Sequence, residues 1–193
     1  MSEVSIEYPF SAAAVRNLSV GDRIRLSGLV FTGRDRFHKY LFDGGKSPVH
    51  LKDGAIYHCG PVVIRKDGEW KVLAAGPTTS SREDLYTPKI IEEHKIRVII
   101  GKGGMGKATL EACSHHGCVY LQAVGGAAAH IAQRVERVQG VHLIKEFGAA
   151  DAVWELIIHD MEAVVTMDAH GNSLHKRIRN SSKRSLRVVI AGD

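Results

Sequence analysis

Apolar and polar positions change rhythm about halfway along this chain. Early on, DRIRLSGLVF alternates apolar with polar residues and breaks at Gly33, the period-2 pattern of a half-buried strand. AIYHCG, PVVIRKDG and EWKVLAAGP follow as short strands bounded by turn residues. Lys66-Asp67-Gly68 between two of them is a hairpin signal, because Asp-Gly tolerates the positive φ that such turns need. From about residue 86 strands and helices alternate. TPKIIEEHK suits a helix with Pro88 in its first turn, IRVIIG a buried strand, GKATLEACSHHG a helix and CVYLQAVGG another strand. AAAHIAQRVERVQG reads as a helix ended by Gly140, VWELIIHDM and EAVVTMDAHG as two strands, and SLHKRIRNSSKR as a last helix. A β-rich first part followed by this alternation predicts a layered α/β domain and leaves the strand order open.

Composition narrows the class without choosing a function. The 193 residues suit one domain, and 44% hydrophobic with 24% charged residues describes a globular chain able to bury a core. No apolar run approaches the roughly 18 residues of a membrane span. The opening MSEVSIEYPFSAAAVRNLSVGD lacks the basic-then-apolar plan of a signal peptide. The cysteines (Cys59, Cys113, Cys118) are odd in number and form no CxxC pair. Reduced thiols in the cytoplasm are therefore expected. A net charge of +5 admits nucleic acid, an anionic metabolite or an acidic partner, and the C-terminal HKRIRNSSKRSLR carries much of the excess.

The chemistry concentrates in VIIGKGGMGK, an apolar run that ends in glycines and lysines. Gly101 to Lys107 satisfies the GxxxxGK of a phosphate-binding loop, but Ala108 stands where Ser or Thr should hold magnesium. IIGKGG also fits a GXXG clamp on an RNA backbone, yet Leu110 is the first large apolar residue after Met105, too late for that module. The third reading is a clamp for a small carboxylate, with Lys102 at a strand end and the next helix N-terminus aimed at the ligand. Such a clamp needs further basic and hydroxyl residues at strand ends. TGRDRFHKYL supplies Arg34, Asp35 and His38 at a strand break, and AAGPTTSSRED supplies Thr78, Thr79 and Arg82.

GRDRFH, IYHCGP, AAGPTTSSRED, IIGKGGMG, VYLQAVGGAAA, KEFGAADAVWEL and VTMDAHGNSL occur in this order. Together they resemble the β subunit, or C-terminal domain, of the iron–sulfur class I fumarases and related L-tartrate dehydratases. The resemblance runs from about Gly21 to Leu174 and implies one domain over residues 1–193 with a basic segment at 175–193. It implies a swivelling β/β/α domain of the fumarase C-terminal type. It also implies a [4Fe-4S] cluster held by a partner α subunit, not by this chain, in a hetero-oligomer such as α2β2. Malate dehydration to fumarate is the leading reaction it implies, with tartrate dehydration second; an RNA- or nucleotide-binding module is the rival from another class.

Carried over by motif, Thr78 becomes the base that removes the C3 proton, and Arg34, Thr79, Arg82 and Lys102 bind the dicarboxylate. Asp35, His38, Gly101 and Gly103 are support, with Asp35 orienting Arg34 or capping the turn. Two departures stand out: Glu83 occupies a position where Met is expected, and bulky Arg36 could compete with Arg34. Cys59 reads as a small buried residue and Trp154 as core. GGAAAH reads as close helix packing, and the CSHHGC thiols as side chains that diverge across a helix end.

Overall fold

The computed structural model describes residues 3–191. The chain runs β1 (Glu3–Glu7), α1 (Ala12–Arg16), β2 (Arg23–Thr32), α2 (Asp35–Phe42), β3 (Ala55–Tyr57) and a hairpin of β4 (Val62–Lys66) and β5 (Glu69–Ala74). A 3₁₀ turn at Ser80–Arg82 leads to α3 (Thr87–His94), β6 (Val98–Gly101), α4 (Lys107–His116), β7 (Val119–Ala123) and α5 (Ala128–Ala132). Next come β8 (Val135–His142), α6 (Ile144–Phe147), β9 (Val153–Met167) and α7 (Leu174–Ala191). The architecture is mixed α/β.

Seven strands pair in the order β1-β2-β3-β6-β7-β9-β8. β2, β3, β6 and β7 are parallel neighbours, whereas β9 runs antiparallel to β2, β7 and β8. Because β9 also pairs with β2, the ladder β2–β3–β6–β7–β9 returns to its start and closes a ring. The 15 residues of β9 make this closure possible, since Glu155–Val164 serve β2 while Ala163–Met167 reach β7. Val98, Ile100, Val119, Leu121, Leu156 and Val165 fill one core cluster. The alternate residues Ile56, Ile99 and Tyr120 face a second cluster, formed with Phe37 and Leu41 of α2, Ile90 and Ile91 of α3 and Leu110 of α4. An unbroken apolar run such as VIIG encodes a strand buried on both faces in this way. Trp154 is fully buried, edge-on to Trp70 at 5.1 Å, and its Nε1 donates to the Ala149 carbonyl at 2.8 Å. The Lys66–Gly68 turn forms as its residues require, with Asp67 at φ 54° and Gly68 at φ 85°.

Three elements differ from the pattern. The helix predicted through Gly140 stops at Ala132, and residues 135–142 are strand β8. Val135, Val138 and Val141 have helical spacing, but two register shifts against β9 insert extra residues, so all three pack on the same core from a strand. The two predicted strands at VWELIIHDM and EAVVTMDAHG are one, because Asp160 takes φ 51° with its N–H held by Ser27 Oγ at 3.0 Å, and the β2 ladder continues past it. The strand break at GRDRFH is the start of helix α2, which buries Phe37, His38 and Leu41. Among the described residues no helix is long and apolar enough to cross a membrane.

Candidate functional site

The carboxyl ends of β2, β3 and β6 bring the singled-out residues together, on loops held by a rigid sheet. Past β3, the segment Thr78–Ser80 lies between the ends of β3 and β6. The Thr78 N–H donates to the His58 carbonyl at 2.6 Å, the Ser80 N–H to the Lys102 carbonyl at 3.0 Å, and the Lys102 N–H to the Thr78 carbonyl at 3.3 Å. Thr78, Thr79 and Lys102 are thereby fixed as backbone neighbours although 24 positions separate Thr78 from Lys102 in the sequence. Past β2, Arg34 sits at the N-cap of α2 and lies over Gly60, where a Cβ would come within 2.6 Å of its Nη1. A side chain at 60 would collide both with Arg34 and with the Ala150 carbonyl, 2.5 Å from the same Cβ.

The ion pairs differ from those the motifs suggest. Asp35 pairs with Arg82 at 3.1 Å, and Arg34 faces Asp151 at 3.8 Å and the Ala150 carbonyl at 3.5 Å. Asp35 thus joins the two motifs and does not orient Arg34. Arg36 points away from the cluster, its Nη1 donating to the Glu146 and Phe147 carbonyls of α6, so it does not compete with Arg34. These pairs are partly solvated, with side-chain exposures of 48% for Arg82 and 26% for Arg34, so both guanidiniums can still reach a ligand.

Beneath this face runs a buried polar seam that pattern alone misses. Tyr120 Oη donates to Ser80 Oγ at 2.9 Å, and Ser80 Oγ lies 2.8 Å from His58 Nδ1. The His58 ring meets the His38 ring edge-on at 4.8 Å, and His38 Nδ1 is 2.9 Å from the Arg34 carbonyl. Burial pushes His38 down to about 4 and His58 well below the usual histidine range, so both are neutral near pH 7. With its tautomer set to donate from Nδ1, His38 holds the Arg34 main chain. Glu83 is also fully buried here, and burial, with the Asp35 charge adding to it, pushes its carboxyl up to about 7. The only sequence signal for the seam is polar residues within apolar surroundings, His58 after the AIY strand and Ser80 after the two threonines.

The glycine loop is shaped by packing. Gly101 ends β6, and a Cβ there would lie 1.9 Å from Ser80 Oγ. Gly103 and Gly104 take φ 83° and 73°, and the His175 ring of α7 sits on Gly104. The α4 N-terminus, the anion site in the clamp and phosphate-loop patterns, is already capped. Asp84 Oδ1 accepts from the Gly106 N–H at 2.9 Å and from Thr109 Oγ1 at 2.6 Å. A carboxylate of the chain itself thus already stands at this helix end, where an anion would otherwise bind. Replacing Asp84 by alanine is expected to lower stability by about 1 kcal/mol, read from the denaturant midpoint.

The cysteines do not fit an iron–sulfur cluster. Cys59 belongs to one core cluster and Cys113 and Cys118 to the other. Burial pushes the Cys59 thiol up to about 12 and Cys118 well above its usual range, whereas cluster ligands are thiolates. Cys59 is the small buried residue that was expected. The CSHHGC thiols do not diverge: Cys113 and Cys118 are fully buried in the same core cluster. GGAAAH packs closely, with Ala128 Cβ 3.0 Å from where a Gly76 Cβ would stand. Among the described residues, no group of three or more His, Cys, Asp or Glu is placed to hold a metal ion.

The family described as the fumarase C-terminus matches residues 1–178. A Geobacillus stearothermophilus protein provisionally named fumarate hydratase class I is 50% identical over 184 residues, 95% of this chain and 35% of its own length. This chain therefore spans about a third of that relative. A Methanocaldococcus jannaschii protein provisionally named L(+)-tartrate dehydratase subunit beta is 36% identical over 193 residues, 96% of this chain and 99% of its own. The L(+)-tartrate dehydratase subunit beta of Escherichia coli (strain K12) is 33% identical, covering 86% of this chain and 83% of its own.

Proposed function

This chain belongs to the fumarase C-terminus family, and from that premise we propose that it is the β subunit of a hydro-lyase that removes water from a 2-hydroxydicarboxylate. The observation that carries the reading is that Arg34 after β2, Lys102 after β6 and the Thr78–Arg82 segment between them meet at neighbouring strand ends, tied by the Asp35–Arg82 pair and the Thr78–Lys102 backbone bonds. Two carboxylates need two anchoring points, and guanidinium forks with an ammonium provide them. Residues 1–193 act as one domain, read as the swivelling β/β/α type, in the cytoplasm. Malate to fumarate is the favoured reaction, supported by the 50% identity to the relative named for fumarate hydratase; tartrate is the second substrate to test.

In the proposed reaction the C3–H bond breaks, its electron pair becomes the new double bond, and the C2–O bond breaks as the hydroxyl takes a proton from solvent and leaves as water, balanced when Thr78 returns the C3 proton to solvent. Thr78 receives the C3 proton. A threonine hydroxyl is a weak base alone, so the positive charges of Lys102 and Arg82 must favour its alkoxide. Arg34, Arg82, Thr79 and Lys102 hold the carboxylates, and positioning is worth most once a partner covers the face and excludes water. That partner is taken to be a separately encoded α subunit holding the iron–sulfur cluster, which this chain's cysteines do not fit, and no step above runs through the cluster.

The test is fumarate absorbance with malate, using this chain alone and then mixed anaerobically with the cluster-bearing subunit. Turnover in the mixture alone supports the reading. A stable, loaded complex that turns over neither malate nor tartrate overturns it. The RNA-binding alternative would rely on α7, which carries Lys176, Arg177, Arg179, Lys183, Arg184 and Arg187. Deleting residues after Leu186 is expected to leave turnover by the complex within about twofold, because Arg187, Val189 and Ile190 there are exposed and pack on nothing in the core.

A further inference from the structure

We infer that Glu83 is a positioning residue: its proton decides how much of the positive charge on Arg34 and Arg82 is free to bind a substrate carboxylate. This rests on the carboxylate-binding reading above. The side chain is fully buried, and neither carboxyl oxygen has a hydrogen-bond partner. The charged and titratable groups that face it are Asp35 of α2, Arg34 at the α2 N-cap, Arg82 beside it in the chain and Tyr120 of β7. Asp35 pairs with Arg82 and Asp151 faces Arg34, so each guanidinium already has one counter-charge.

The charge balance decides the effect. With Glu83 protonated, three cations (Arg34, Arg82, Lys102) stand against two carboxylates (Asp35, Asp151), and a net positive charge remains for the ligand. An ionised Glu83 cancels that excess from inside the protein, where it is poorly screened. Burial and the neighbouring Asp35 hold its carboxyl up to about 7, so the proton is gained or lost near neutrality. A dianionic substrate binds the protonated form better and therefore draws a proton onto Glu83 as it binds. KM should rise with pH while kcat does not follow it. Neighbouring histidines do not account for such a change, because His38 and His58 stay neutral throughout this range.

Two measurements on Glu83→Gln, which keeps the shape and removes the titration, test this. The first uses the full chain alone. A carboxyl raised in the folded state contributes stability that is present below its unfolded value, near 4.5, and is lost as pH rises through about 7. Wild type should accordingly lose more Tm than Glu83→Gln between pH 5 and pH 8. The second uses the complex with the cluster-bearing subunit. KM for malate should rise about fivefold from pH 6 to pH 8 in wild type, as one unit of linked pKa above about 7 requires, and less than twofold in Glu83→Gln. Tm curves that stay parallel, or a KM that rises equally in both proteins, overturn the role of Glu83 and leave the hydro-lyase reading standing. A loaded complex that turns over no 2-hydroxydicarboxylate removes the reading itself and this inference with it, whatever the Tm curves show.

Discussion

Lys102→Ala, assembled with the cluster-bearing subunit, is expected to lose roughly 10²–10³-fold in kcat/KM for malate, the scale of removing one preorganised charge from an active site. The expectation comes from a difference among the three cations. Asp35 takes part of the Arg82 charge and Asp151 part of the Arg34 charge, whereas among the described residues no carboxylate lies within ion-pair distance of Lys102. Its full charge is available to the ligand. The main chain of Lys102 carries the contacts with Thr78 and Ser80, and alanine keeps those, so the fold should survive. The check is malate-dependent fumarate absorbance beside a thermal melt. A variant keeping more than half the wild-type kcat/KM with an unchanged melt would show that Lys102 does not hold substrate.

Gly101→Ala should act through stability instead. Its Cβ would stand 1.9 Å from Ser80 Oγ, 3.1 Å from Tyr120 Oη and 3.2 Å from His58 Nδ1. Ser80 has no free direction to move, since its hydroxyl joins Tyr120 and His58 and its N–H is paired with Lys102. Accommodating one methyl group means breaking a buried hydrogen-bonded cluster, at about 3 kcal/mol, or a Tm lowered by roughly 10 °C. The methyl clash and the hydroxyl share a cause, so adding Ser80→Gly should recover part of the loss, with strongly non-additive energies. A Gly101→Ala protein that melts with wild type would mean that the strand end yields easily and the seam is not rigid.

Much of the candidate site was legible in the sequence. Arg34, Thr78, Thr79, Arg82 and Lys102 were marked by basic and hydroxyl residues at strand ends, and the structure brings those strand ends to one edge. The partners of those residues were not legible. The Asp35–Arg82 pair joins positions 47 apart, and Arg34 to Asp151 spans 117, so no local pattern could set one against the other. The capped α4 shows the same limit: Lys107–His116 was recognisable as a helix, but Asp84, 22 positions before Gly106, holds its first turn.

Periodicity by itself determined most elements, because local propensity and the alternation of buried residues act over a few residues. It recovered the β2 strand, the β4–β5 hairpin, α3, β6, α4 and β7. It failed where a distant strand changed the meaning of the spacing. Val135, Val138 and Val141 repeat every three residues as in a helix, and only bulges against β9 make that a strand. β9 likewise continues through Asp160 only because β2 lies beside it. Residue types set the available charges and the local elements. Tertiary structure alone decided which charges are neutralised, which helix end is filled and which carboxyl, Glu83, is buried among them, because burial and electrostatics depend on neighbours that the chain supplies from far away.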